Sequence, residues 1–401
     1  MNFSSISRNL SLIFIFFILV LVGIYFCYSN SYGWDWDTYG MLNTFYNILE
    51  NSIYIKSRGT GYLVPEIIIG FFSHYFGSFF LNLLSFFLLI SGLIIFYYSL
   101  LANKIYLKNL LLFLIFCLSN YIIMRDSTIP MDYPWALFFF SLGIFFYSRK
   151  NIEFTILFFA LAIGSRINYL LFIYPIIFYY NNGFNLNKKI IFFIIIFFFG
   201  GLFYIPSWIS SGFSLDFLFS SKWYNHYRPD PIFSLIGSGK FFYKSFLTIG
   251  YFSCIVIGIN LVYLWIKKKY IKIHNTQIIF FLIILNLILY FFFPWQQAHL
   301  WIFIISFYFF LVQVLNRKLI LLLIFLNLTN WFFQFHPITV LYKKYDCYNE
   351  LIDYKPFPTF TKGFIFQRSE RHKWTLCYPG DDFPILKKYE KNIKRGYKIN
   401  Y

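Results

Sequence analysis

The run Asn9-Leu-Ser-Leu-Ile-Phe-Ile-Phe-Phe-Ile-Leu-Val-Leu-Val-Gly-Ile-Tyr-Phe-Cys-Tyr28, followed almost at once by Ser31-Tyr-Gly-Trp-Asp-Trp-Asp-Thr38, decides how the rest of the chain is read. Residues 9–28 carry no charge, and roughly 20 apolar residues suffice for a helix to cross the hydrocarbon core. The run lacks a small-residue cleavage site and is long for a signal peptide, so it reads as a retained anchor. Asp35 and Asp37 then stand at the mouth of a membrane bundle, where carboxylates are expensive and point to chemistry.

Outward from that stretch the composition agrees. At 59% hydrophobic, 26% aromatic and 12% charged residues, with a mean hydropathy of +0.62, the 401-residue chain is too apolar for a water-soluble globule. An all-α polytopic membrane protein is expected. Eleven spans are predicted, at about 9–28, 78–101, 109–123, 133–148, 152–165, 167–180, 190–208, 243–266, 277–293, 298–315 and 318–335. Residues 152–180 also read as one kinked unit. The formal charge of +18 would suit nucleic acid, but Lys and Arg stand in short clusters between spans, so no nucleic-acid partner is expected. Cys27, Cys117 and Cys254 fall in apolar spans as packing residues, and Cys347 and Cys377 in the tail could pair in an oxidising compartment. Gly237-Ser-Gly-Lys240 lacks the flanking residues of a Walker A loop, so an ATPase reading is unsupported.

With a cytoplasmic N-terminus, Arg8, Lys104, Lys108, Arg149, Lys150, Lys188, Lys189, Lys267, Lys268, Lys269, Lys272, Arg317 and Lys318 lie inside, as the positive-inside rule favours. Glu153 is the one acid before residue 336 on that side. Asp35, Asp37, Glu50, Glu66, Asp126, Asp132, Asp216 and Asp230 lie outside. Carboxylates contribute little to orientation, so this asymmetry reflects a solvated outer surface or a site.

Residues 1–335 are read as a transmembrane domain and 336–401 as a small extramembrane tail, where Pro356, Pro358, Pro379 and Pro384 argue against one long helix. The first outer loop, 29–77, holds Met41, Leu42, Phe45, Ile48 and Leu49 at helical spacing, which predicts a short interfacial helix capped by Asp37 or Thr38. Glu66 to Phe76 predicts a second interfacial helix, ended by Gly77. In the second outer loop, 209–242, Lys222, His226 and Arg228 among aromatics suit recognition of a sugar or acceptor, and interfacial anchoring explains the aromatics equally well.

Asp35 and Asp37 are two residues apart, so in an extended segment both point the same way. They could share a divalent cation such as Mg or Mn, or one could act as a base; a helix cap is the plainer role of Asp37. Asp126 and Asp132 share the next outer turn, with Asp132 also placed to cap a span. Arg58, Arg125 and Arg166 are candidates to clasp a phosphate. Arg166 stands out, because Gly164-Ser-Arg-Ile-Asn168 is flanked by apolar sequence, though a snorkelling side chain would look the same. Glu66, Gln296 and His299 are weaker substrate-binding candidates, the last two in the compact turn Phe293-Pro-Trp-Gln-Gln-Ala-His-Leu300.

Together these pieces resemble the GT-C superfamily of membrane glycosyltransferases, which includes the protein O-mannosyltransferases and the lipid A aminoarabinose transferase. Asp35 and Asp37 match the family's essential Asp shortly after the first span. Ser57-Arg-Gly-Thr-Gly-Tyr-Leu-Val-Pro-Glu66 resembles its Arg-Pro-Pro-Gly-Tyr-Pro stretch through Arg58, Gly61 and Tyr62, with Thr60 and Leu63 departing from the prolines. Met131-Asp-Tyr-Pro134 resembles its second acidic turn, and Phe293-Pro-Trp-Gln-Gln a late outer turn. The resemblance covers about 1–335. It implies a GT-C-like bundle, a polyprenyl-phosphate-linked sugar donor, a glycan, lipid or protein acceptor, and inverting transfer at the periplasmic or exterior face of a bacterial inner membrane. Asp37 or Asp35 would be the base, with Asp132 assisting; a cation is used by some members only.

Two rivals remain open. A polymerase or ligase of lipid-linked surface glycans would take a diphosphate-linked donor. A lipid-linked sugar flippase or other transporter would more often show paired repeats and polar or broken helices near the midplane.

Overall fold

The computed structural model describes residues 3–33, 36–58, 60–101, 107–214, 235–267, 275–292, 297–336, 339–344, 350–355, 359–362, 365 and 385–386. Most of them are helical. In chain order the helices are α1 (Phe3–Asn30), α2 (Trp36–Asn51), α3 (Leu63–Leu100), α4 (Leu107–Ser119), α5 (Tyr121–Ser127), α6 (Asp132–Ser148), α7 (Ile152–Ser165) and α8 (Tyr169–Tyr179). There follow α9 (Leu186–Leu202), α10 (Ile205–Ser210), α11 (Leu235–Ile249), α12 (Tyr251–Ile266), α13 (Thr276–Phe292), a 3-10 turn (Gln297–Leu300), α14 (Trp301–Val314) and α15 (Arg317–Phe332).

By length and composition, Leu10–Asn30, Leu63–Leu100 and Gln297–Val314 are able to cross a membrane, and two bent helix pairs raise the number among the described residues to as many as five. Large apolar side chains such as Phe14, Phe198, Ile259 and Trp265 stand exposed on α1, α9 and α12, a surface suited to lipid. The chain therefore has the make-up of a mostly helical membrane protein. Its centre is built by α3 on α6, α6 on α7 and α7 on α9, with α2 laid against α3.

Several expected spans are broken, each for a local reason. The segment 109–123 bends by 78° at Asn120, whose side-chain oxygen accepts from the amides of Ile122 and Ile123 and so caps a new helix. The segment 243–266 bends by 84° at Gly250, where φ is 90° and the Asn330 amide fills the space that a side chain would need. The two breaks meet: Asn120 Nδ2 donates to the Thr248 carbonyl at 2.9 Å and to the Tyr308 hydroxyl at 3.0 Å. Polar groups released by the bends thus find partners inside the bundle, which apolar surroundings demand. Residues 190–208 divide into α9 and α10, and residues 152–180 form two helices because Arg166 is extended (φ −155°, ψ 117°).

The first outer loop differs from a half-exposed interfacial helix. In α2, residues 38–47 are buried on every side, while Leu49 is 49% exposed. Gly77 does interrupt α3 as expected, with φ 76° and ψ 178°, a region essentially restricted to glycine.

The tail departs from an all-α chain. Strand β1 (Phe333–His336) pairs antiparallel with β4 (Thr359–Lys362), and β2 (Thr339–Lys344) with β3 (Glu350–Lys355). Val340, Tyr342, Ile352 and Tyr354 are strand formers by residue type.

Candidate functional site

Helix α2 opens at Trp36 and so places Asp37 in its first turn, where the helix dipole favours a carboxylate. Arg58 Nη1 donates to Asp37 Oδ2 at 3.0 Å, and Arg58 Nη2 lies 3.2 Å from Asp132 Oδ2. Arg166 Nη1 donates to both Asp132 oxygens, at 2.9 and 3.0 Å. Asp37, Arg58, Asp132 and Arg166 thus alternate in charge along one network. They come from four places in the chain: α2, the loop before α3, the start of α6 and the break between α7 and α8.

Aromatic rings wall the two guanidinium groups. Arg58 Cζ lies 4.7 Å from the Tyr62 ring centre and Arg166 Cζ 3.8 Å from that of Tyr133. Burial is graded along the network: the Asp132 side chain is fully buried, Arg166 and Arg58 are 6% and 12% exposed, and Asp37 is 23% exposed. Solvent therefore reaches it from the Asp37 end. Burial works against the charge on Arg58, but Asp132 and Asp37 outweigh it and raise the guanidinium above its ordinary pKa.

This geometry resolves the helix-end alternatives. The Thr38 hydroxyl donates to the Pro130 carbonyl instead of capping α2. Met131 holds the N-cap position of α6 with no side-chain cap bond, while Asp132 serves the arginines. Arg166 is buried against Asp132 and does not snorkel.

The loop that carries Arg58 is shaped by Glu66, which is fully buried. Its carboxylate accepts from the Tyr54 hydroxyl at 2.8 Å, the Ser57 amide at 3.0 Å, the Ser57 hydroxyl at 2.5 Å and the Tyr62 amide at 3.1 Å. Those four bonds fold residues 54–62 around one anion, so Glu66 acts on loop shape. Burial and the neighbouring Glu66 push the Tyr54 hydroxyl well above its usual pKa. Tyr54 also meets the Ser207 hydroxyl at 3.0 Å, and Lys56 Nζ donates to Ser211 Oγ at 2.9 Å, so α10 and the residue after it close over the loop. Burial lowers the pKa of Lys56.

Other expected site residues fall near the network or outside the described part. Arg125 pairs with its chain neighbour Asp126, Nη2 to Oδ2 at 3.1 Å. Asp126 is buried and within electrostatic reach of Tyr133. The His299 ring lies 6.3 Å from the Tyr133 ring, and Trp301 5.5 Å from it, which brings the late turn to the same place. Asp35, Lys222, His226, Arg228 and Gln296 lie outside the described residues, as do Asp216, Asp230, Cys347 and Cys377. Tyr133, Tyr54 and Ser57 were not singled out by the sequence; for Tyr133, its place beside Asp132 was the available signal.

Among the described residues no group of three or more His, Cys, Asp or Glu is gathered, and the Arg58 guanidinium stands at Asp37; Asp35, the other carboxylate expected to share a cation, lies outside the described residues. Comparison with protein-family models, with curated proteins and with solved structures yields no match.

Proposed function

We propose that the chain is an integral-membrane glycosyltransferase of the GT-C type, a bundle of about eleven membrane-crossing segments, some short or bent. It would transfer a sugar from a polyprenyl phosphate to a glycan, lipid or protein acceptor on the extracytoplasmic face of an inner membrane. The observation that carries the reading is the Asp37–Arg58–Asp132–Arg166 network: four distant segments converge on one ion cluster, with its most accessible carboxylate at the rim.

In the proposed reaction an acceptor oxygen attacks the anomeric carbon from the face opposite the lipid phosphate. The carbon–oxygen bond to the phosphate breaks, its electron pair leaves with the phosphate, and the configuration inverts. Asp37 takes the acceptor's proton. Arg58 and Arg166 stabilise the charge on the leaving phosphate. Asp132, buried between them, positions both guanidinium groups. Purified protein in nanodiscs should transfer sugar from a prenyl-phosphate donor, and Asp37→Asn should lower the rate by about 10²–10⁴-fold with folding retained, the usual worth of a general base. Undiminished transfer by that variant would remove Asp37 from the mechanism.

One observation favours a plainer second reading, in which the network is a structural lock: its four charges sum to zero. A variant that loses thermal stability while no donor is ever turned over would favour the lock.

A further inference from the structure

The network holds more hydrogen-bond donors than its own acceptors can use. Two guanidinium groups offer ten N–H bonds and Tyr133 a further O–H, against about eight lone-pair sites on the carboxylates of Asp37 and Asp132. Arg58 Nε, Arg166 Nε and the Tyr133 hydroxyl are buried and meet no hydrogen-bond partner among the described residues. Arg166 and Tyr133 are both buried. Buried donors left unpaired are costly, and a prenyl phosphate, as the diester of the donor or the monoester that leaves after transfer, carries oxygens that would satisfy them.

Access for such an anion is unequal along the chain of charges. Asp132 is fully buried and is held by both arginines. Asp37 sits at the exposed end, on one nitrogen of Arg58. An anion arriving from solvent therefore meets the Asp37–Arg58 pair first, and it competes with a carboxylate for the same guanidinium.

Resting on the glycosyltransferase reading, we propose that Asp37 is an internal counter-ion that the donor phosphate displaces from Arg58, so that the substrate itself releases the base. Without donor, Asp37 neutralises Arg58 and is not free to accept a proton. With the phosphate on Arg58, the Asp37 carboxylate loses that guanidinium and can turn toward the acceptor, while Asp132 keeps both arginines in place.

The displacement makes an unusual expectation, that removing a residue of the site tightens ligand binding. Farnesyl phosphate is the probe, with binding to the full-length protein in nanodiscs measured by calorimetry. Asp37→Asn should bind it about three- to tenfold more tightly than the wild type, the worth of one partly exposed ion pair at about 1 kcal/mol. Asp37→Glu, which keeps the charge, should stay near the wild type. In an Arg58→Gln background the gain from Asp37→Asn should vanish, because the coupling is between those two side chains. A thermal melt of each variant reports folding, and if Arg58→Gln does not fold, Arg58→Lys, with its single point charge, should reduce the gain. Equal affinity of the wild type and Asp37→Asn would overturn the displacement and leave the donor reading standing. No farnesyl phosphate binding by either protein would overturn both.

Discussion

A carboxylate enclosed between two guanidinium groups is dear to remove, because what remains is worse than what was lost. Asp132 has both oxygens on Arg166 and one also near Arg58, and none of its side chain is exposed. Asp132→Ala would leave two buried cations with Asp37 as their remaining carboxylate in the network. Breaking a buried pair in this way costs about 3–5 kcal/mol, so Asp132→Ala should melt well below the wild type in detergent. The double variant Asp132→Ala/Arg166→Met should recover part of the loss, since it removes an orphaned charge as well. Equal melting of the single variant and the wild type would show that the network carries no stability. At this scale Asp37 and Arg166 were legible as candidates, because a charge beside an apolar span is conspicuous. That Asp132 would share a site with them followed from the outer turns lying on one membrane face; the direct ion pairing of Arg58 and Arg166 through Asp132 was not legible, since chain order does not say which side chains touch.

At the scale of elements, the loop before α3 takes its form from a single side chain at the start of that helix. Glu66 accepts four hydrogen bonds from Tyr54, Ser57 and Tyr62, and a bond to a charged group contributes about 1.5–3 kcal/mol. Glu66→Ala should therefore raise amide hydrogen exchange throughout residues 54–62 and lower the melting temperature. Glu66→Gln, which keeps the shape and can turn its NH2 group to the Tyr54 hydroxyl but loses the charge, should fall between Ala and the wild type. Unchanged exchange in Glu66→Ala would mean that the loop is held elsewhere. Gly77 is a second element-level control. A Cβ there meets nothing within 4 Å, so Gly77→Ala should cost about 1–3 kcal/mol from backbone strain alone, read as a lowered melting temperature. The Gly77 break was readable because glycine ends helices. The bend at Asn120 was not, since its cause is a cap on the following helix together with partners on distant ones, Thr248 and Tyr308. The strands of the tail were hidden by its charge and its prolines, which argued against helix without specifying pairing.

For the whole molecule, the helix that begins at Asp132 has 17 residues and returns through α7 to Arg166. At 1.5 Å per residue the turn at residues 149–151 lies roughly 25 Å from the ion network. That far turn carries Arg149 and Lys150, with Lys150 Nζ over Gly183 of the neighbouring turn, and Lys189 Nζ donates to the carbonyls of Phe178 and Tyr180 at 2.9 and 3.2 Å. One end of the bundle is thus basic, while the other holds the alternating network and the hydroxyl contacts of Ser207 and Ser211. A membrane between them would place the basic end in the cytoplasm. Single cysteines make this testable in a background where Cys27, Cys117 and Cys254, inside the helices, and the tail cysteines are replaced by Ser or Ala. A membrane-impermeant maleimide added to intact cells with a permeable outer layer should label Ser210→Cys and spare Lys150→Cys, and cell lysis should expose the second. Labelling of both from outside would place the ion network and the basic turn on one side of the membrane and overturn this orientation.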